Sequence, residues 1–151
     1  MYMQGKFTEE EFNEKRSAFC EKYIPLLQEI EDTKELKDWC KSYSAYTAGE
    51  PTEKLSKALY EFGNDAYESG IVIKGYDWIL EGAGLSNEEV DDISEEVLKK
   101  LSANVILACI AWHFRCDHFS EGYLIHHSVA EGYMLKMLKA YAGCIPYGAE
   151  Q

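Results

Sequence analysis

Apolar and polar positions recur with helical spacing along most of this chain, and the strongest pattern runs from Ser102 to Tyr141. Within it, Val105 to Trp112 is apolar on every side of a helix, which predicts a central helix covered by neighbours all round. Ser94 followed by Glu95 and Glu96 is a helix-start signal, so the spacing places this central helix at about 95–118. The pattern turns polar abruptly at His113. From there, residues three and four apart share a face: Trp112, Arg115 and Phe119 on one, Cys109, His113 and Cys116 on the next, Ile110 and Asp117 on a third.

The N-terminal half opens on a capping box, Thr8 with Glu11, and on Phe7 and Phe12 placed as a hydrophobic staple, so a helix starts at about Glu9. Its apolar stripe is Phe12, Phe19, Tyr23, Leu26 or Leu27, and Ile30, and Pro25 predicts a kink or split near Tyr23 or Ile24. A short helix around Thr33 to Trp39 turns Leu36 and Trp39 inward, and Lys41 to Glu50 reads as a loop. Pro51 suits the first turn of the next helix, which runs to about Glu68 and buries Leu55, Leu59, Phe62, Ala66 and Tyr67. Ile71-Val-Ile73 is β-like but too short for a sheet, so it is an extended connector into Tyr76 and Trp78, which read as core anchors. Ser86 and Glu89 form a second capping box. Beyond the central helix, Ser120 caps a new helix, Gly122 allows the chain to reverse, and Gly132 takes the left-handed position past that helix's end. A last helix, Tyr133 to Ala142, buries Met134, Leu135, Leu138 and Tyr141 before Gly143 stops it. The expectation is a mainly α fold: a compact single domain over 1–151, a bundle of about six helices around the buried central one.

Composition narrows the partners. With 46% hydrophobic residues the 151-residue chain is rich enough for a packed core, and its longest apolar run is well short of the roughly 20 residues that span a bilayer. The net charge of -12 argues against direct binding of nucleic acid or an anionic membrane, both of which need a basic surface. Only Arg16 and Arg115 among the fifteen basic residues are arginine. Five unpaired-looking cysteines and the lack of an apolar signal segment point to a reducing, cytoplasmic setting, with Cys20 and Cys109 as small core residues.

The acidic residues are not spread evenly. Six of the nine residues from Glu88 to Glu96 are acidic: Glu88, Glu89, Asp91, Asp92, Glu95 and Glu96. Helix N-termini favour such charges, and the plain reading is a solvated face. The functional reading is a patch, aided by Glu9 to Glu14, that docks a protein with a basic surface or imitates a nucleic-acid backbone.

Tyr76-Asp-Trp78, a capped helix, then Arg115-x-Asp117-His118-Phe119-x-x-Gly122, ten residues and Gly132 before a Leu-rich helix make up a longer pattern. Over about residues 51–141 it resembles an uncharacterised bacterial and phage family of small helical proteins, a domain of unknown function. The resemblance implies fold and element order, and assigns no catalytic residue.

Cys109, His113 and Cys116, with His126 and His127 from the next helix, have ligand chemistry but none of the close spacings of zinc motifs, so neither a metal nor a cofactor is expected. His113, Asp117 and His118 have the chemistry for proton transfer, and Arg115 for clamping an anion. On one helix, however, Arg115 and Asp117 point to different sides, and only His113 and Asp117 face each other. The preferred role of Arg115 is structural, bridging to carboxylates or carbonyls of neighbouring helices. The function expected is therefore a non-enzymatic protein-binding or regulatory module, in its concrete form a phage or mobile-element inhibitor that covers the basic groove of a nucleic-acid-binding host or defence protein. The alternatives are a small-ligand protein or hydrolase-like enzyme built on Arg115, His113, Asp117 and His118, and a homo-oligomer joined through surplus tyrosines and methionines.

Overall fold

In the computed structural model of the chain, residues 8–41, 52–117 and 128–148 are described, and the regular elements among them are all helical. Helix α1 spans Glu9–Asp32 and starts as expected. The Thr8 hydroxyl accepts from the Glu11 amide at 3.1 Å and the Glu11 carboxylate from the Thr8 amide at 3.0 Å. Phe19, Tyr23, Leu27 and Ile30 are its buried stripe, with Cys20 beside them. Pro25 neither splits nor ends the helix. It sits on the exposed side, where a lost backbone bond costs least, and buried Tyr23 and Leu27 on either side keep the helix seated. Phe7 and the Trp39 side chain lie outside the described residues. A single residue, Thr33, separates α1 from α2, Lys34–Lys41, in which Leu36 packs half-buried and Cys40 is buried.

Helix α3, Thr52–Glu68, buries Leu55, Leu59, Phe62 and Ala66. Tyr67 is 40% exposed, contrary to the sequence reading, because it stands about 100° from the Ala66 stripe. The helix ends in a turn that needs glycine: Gly70 has φ +80°, and a Cβ there would lie 2.6 Å from the Phe12 ring. Ile71, Val72 and Ile73 then run without strand pairing, all buried, as a connector.

Three short helices follow: α4, Tyr76–Gly82; α5, Asn87–Asp91; and α6, Glu95–Leu98. Helix α7 is the hub but begins at Ala103, not near 95, and reaches Asp117. The two serines explain the correction. The Ser94 hydroxyl caps α6 by accepting from the Val97 amide at 3.2 Å, and the Ser102 hydroxyl caps α7 by accepting from the Val105 amide at 3.4 Å. Between them the Lys100 and Leu101 amides close tight turns onto Val97 and Leu98, which ends the first helix. Trp78 is also corrected. It is 77% exposed, since Leu80, two residues on, takes the inward position of α4.

A helical turn at 128–130 and Gly132, with the left-handed φ of +83° that the sequence predicts, lead into α8, Tyr133–Gly148. It continues through Gly143 and Pro146 instead of stopping at Ala142. Gly143 does not adopt a left-handed φ, so nothing there turns the backbone away. Met134, Leu135, Met137, Leu138 and Tyr141 are buried.

Helix α7 lies at the centre, with Ile106 to Ala111, His113 and Phe114 all buried. Helices α4, α5 and α8 pack against it, and α3 reaches it through the Phe62 and Phe114 rings, 5.4 Å apart. Helix α1 packs on α2, α3 and α8. Among the described residues no helix is long and apolar enough to cross a membrane.

Candidate functional site

The acidic segment forms a shoulder made of α5 and α6. Its seating starts with local chemistry: the Ser86 hydroxyl accepts from the Glu89 amide at 3.2 Å, and the Glu89 carboxylate accepts from the Ser86 amide at 3.1 Å. Those bonds hold the Glu89 carboxyl below its ordinary pKa. Val90, Ile93 and Leu98 then point into the core as apolar pegs. With these three inward, the six acidic residues between and around them all face solvent: Glu88, Glu89, Asp91, Asp92, Glu95 and Glu96 are exposed.

Three side chains from the hub and α8 fix the shoulder in place. The His113 ring, 1% exposed, donates from Nε2 to the Val90 carbonyl at 2.9 Å. The Trp112 indole donates to the Asn87 side-chain oxygen at 3.1 Å, and the Tyr133 hydroxyl donates to the Asp92 carboxylate. That last bond, followed by burial, pushes the Tyr133 hydroxyl up to about 12. Among the described residues none of the six carboxylates is in an ion pair; the ion pairs seen there are Lys22 with Asp65, Lys34 with Asp38 and Lys37 with Glu31. The result is a rigid anionic surface whose charges are not neutralised by cations of those residues.

At the polar end of the hub, the candidates whose side chains are described are His113 and Arg115. His113 is buried, and its Nε2 is engaged with the Val90 carbonyl. Arg115 is exposed on the last turn of α7. The two therefore face different environments, and among the described residues no carboxylate or carbonyl of a neighbouring helix is seen paired with Arg115, the bridging role expected of it. Arg115 lies near Tyr76 and Cys116, and burial, chiefly, raises the Tyr76 hydroxyl. The Asp117 side chain, His118, Phe119, Ser120, Gly122, His126 and His127 lie outside the described residues. Among the described residues no group of three or more His, Cys, Asp or Glu could hold a metal ion. Cys109 is a core residue, its thiol pushed up to about 12 by burial.

The bridging arginine is Arg16, which the sequence reading passed over. Its Nε donates to the Gly70 carbonyl at 2.9 Å, its guanidinium lies 5.1 Å from the centre of the Phe12 ring, and its charge is near enough to the Tyr141 hydroxyl to oppose the upward push that burial gives it. It thus joins α1, the end of α3 and α8. The available signal was an arginine set four residues after Phe12 and three before Phe19, on the apolar stripe of its helix.

The chain belongs to a family of unknown function (DUF6508), whose model matches residues 20–145. The match reaches back into α1 and forward to α8, further in both directions than the 51–141 suggested by sequence pattern, and it includes the whole shoulder. No curated protein and no solved structure matches the chain.

Proposed function

We propose that this DUF6508 member is a non-enzymatic protein-binding module whose acidic shoulder docks on a basic surface of a nucleic-acid-binding protein. The observation that carries the reading is the set of six exposed carboxylates on α5 and α6, seated by buried pegs and free of ion pairs with the other described residues. Helix stabilisation accounts for part of the set only. Glu88, Glu89, Glu95 and Glu96 lie in first turns, where the macrodipole favours them, but Asp91 and Asp92 lie at the end of α5, where it does not. Crowding carboxylates on a fixed surface costs self-repulsion, and a basic partner relieves it.

In its concrete form the chain is a phage or mobile-element inhibitor that occupies the nucleic-acid groove of a host or defence protein. The net charge of -12 supports this form, which the bacterial and phage resemblance read from the sequence pattern suggests.

The test is affinity capture from the source cell with the native chain and with a variant carrying Glu88→Gln, Glu89→Gln, Asp91→Asn and Asp92→Asn. The amides keep the acceptor oxygens used by Ser86 and Tyr133 while removing charge. The native chain should retain a nucleic-acid-binding protein that duplex DNA or raised salt releases, and the variant should not. Equal capture by both, or no partner in either, overturns the proposal.

A further inference from the structure

From Gly75 to Leu98 the chain carries eight acidic residues and no basic one, and all eight are exposed. In that stretch stands the most exposed large apolar side chain among the described residues, Trp78 on α4, at 77%. Helix α4 packs on α7 and turns Leu80, with half-buried Tyr76 and Ile79, inward, which leaves the Trp78 side facing out.

The surroundings of the indole select what lies against it. Gly75 and Gly82, three residues before it and four after, share its side of the helix, and a Cβ at either would meet nothing within 4 Å. Glu81, one turn on, is exposed and in no ion pair with the described residues. It lies in the last turn of α4, where the macrodipole disfavours a carboxylate, so helix stability does not account for it. Only Ala83 to Ser86 separate α4 from α5, and the Leu85 amide donates to the Leu80 carbonyl at 3.0 Å. The chain thus passes from the Trp78 helix to the acidic shoulder through one short, hydrogen-bonded turn.

We propose that Trp78 anchors the docked partner by stacking on one of its arginines, whose guanidinium also pairs with Glu81. This contact rests on the reading of the partner as basic, and it names the residue type that the partner presents. Carboxylates draw any cation, but an indole face holds a planar, weakly hydrated guanidinium better than the strongly hydrated ammonium of lysine. Surface charge governs how fast two proteins meet, and a large aromatic side chain how firmly they stay together.

The probes are hexa-arginine and hexa-lysine, titrated into the full chain by calorimetry, with the Trp78 indole N–H resonance of the native chain recorded alongside. Hexa-arginine should shift that resonance saturably and bind more tightly than hexa-lysine. In Trp78→Leu the preference should fall by about threefold with the melting temperature unchanged, and Trp78→Phe should keep part of it. The shoulder substitutions Glu88→Gln, Glu89→Gln, Asp91→Asn and Asp92→Asn should weaken both peptides and leave their ratio as it is. The docking reading is therefore judged by the common loss, and the anchor by the ratio. An indole resonance that does not move, hexa-lysine binding the native chain as tightly as hexa-arginine, or a preference unchanged in Trp78→Leu each overturn the role given to Trp78.

Discussion

The corner where α1, α3 and α8 meet and the shoulder formed by α5 and α6 both contain charged side chains, but they use them in opposite ways. At the corner the charges are spent within the molecule. Arg16 closes onto the Gly70 carbonyl, and the Tyr23 hydroxyl and Lys22 ammonium both donate to the Asp65 carboxylate. Phe19, Tyr23 and Phe62 pack behind them, with ring centres 4.8 to 5.5 Å apart. At the shoulder the hydrogen bonds from the rest of the molecule come through Val90, Asn87 and Asp92, Glu89 is engaged only in its own helix cap, and all six acidic residues are exposed. The corner is organised for stability, and under the docking proposal the shoulder is kept for contact. Changes at the corner should therefore lower stability and leave docking intact in the folded fraction, while charge changes at the shoulder should do the reverse.

The largest effect belongs to Phe62, fully buried between α1 and α7: Phe62→Ala should cost about 3–5 kcal/mol in denaturant unfolding. His113 marks the border between the two regions. His113→Phe leaves the Val90 carbonyl without its donor and should cost about 1–3 kcal/mol, with faster amide exchange in α5 than in α3. The arginines give the sharpest contrast. Arg16→Met should cost about 1–2 kcal/mol through the lost bond to Gly70, whereas Arg115→Met should stay within about 0.5 kcal/mol because that side chain is exposed. Equal costs for the two would erase the distinction.

The smallest effect is in pH dependence. The Tyr23 hydrogen bond, with Lys22 second among its partners, lowers the Asp65 carboxyl below its ordinary 3.8. Its contribution is therefore fully present above that value and lost as pH falls through the lowered one. Burial, then the Asp65 bond, pushes the Tyr23 hydroxyl up from 10.0 to about 12, so that contribution is present below pH 10 and lost as pH rises towards 12. Asp65→Asn should flatten the acid limb of a melting-temperature profile. Because Asp65 is partly exposed, the change should be small.

Much of the fold was legible in the sequence because its signals are local. The Thr8–Glu11 and Ser86–Glu89 capping boxes, the all-round apolar run of α7 and the left-handed Gly132 are each decided within a few residues, and each forms as read. The misreadings came where tertiary placement decides. Pro25 is accommodated because its side of α1 faces solvent, and Trp78 is outside because Leu80 fills the inward place on α4. The arginine roles could not be assigned from spacing. Which of Arg16 and Arg115 meets a buried carbonyl depends on where α3 ends relative to α1, a long-range contact. The exposed acidic residues of the shoulder were readable, because Val90, Ile93, half-buried Val97 and Leu98 are the apolar positions that can anchor so charged a segment.

The separation of shoulder from corner is tested most directly by measuring melting temperature and partner capture together on the variant with Glu88→Gln, Glu89→Gln, Asp91→Asn and Asp92→Asn. The account predicts a melting temperature at or slightly above that of the native chain, with capture lost. Capture that survives in the folded variant would contradict it.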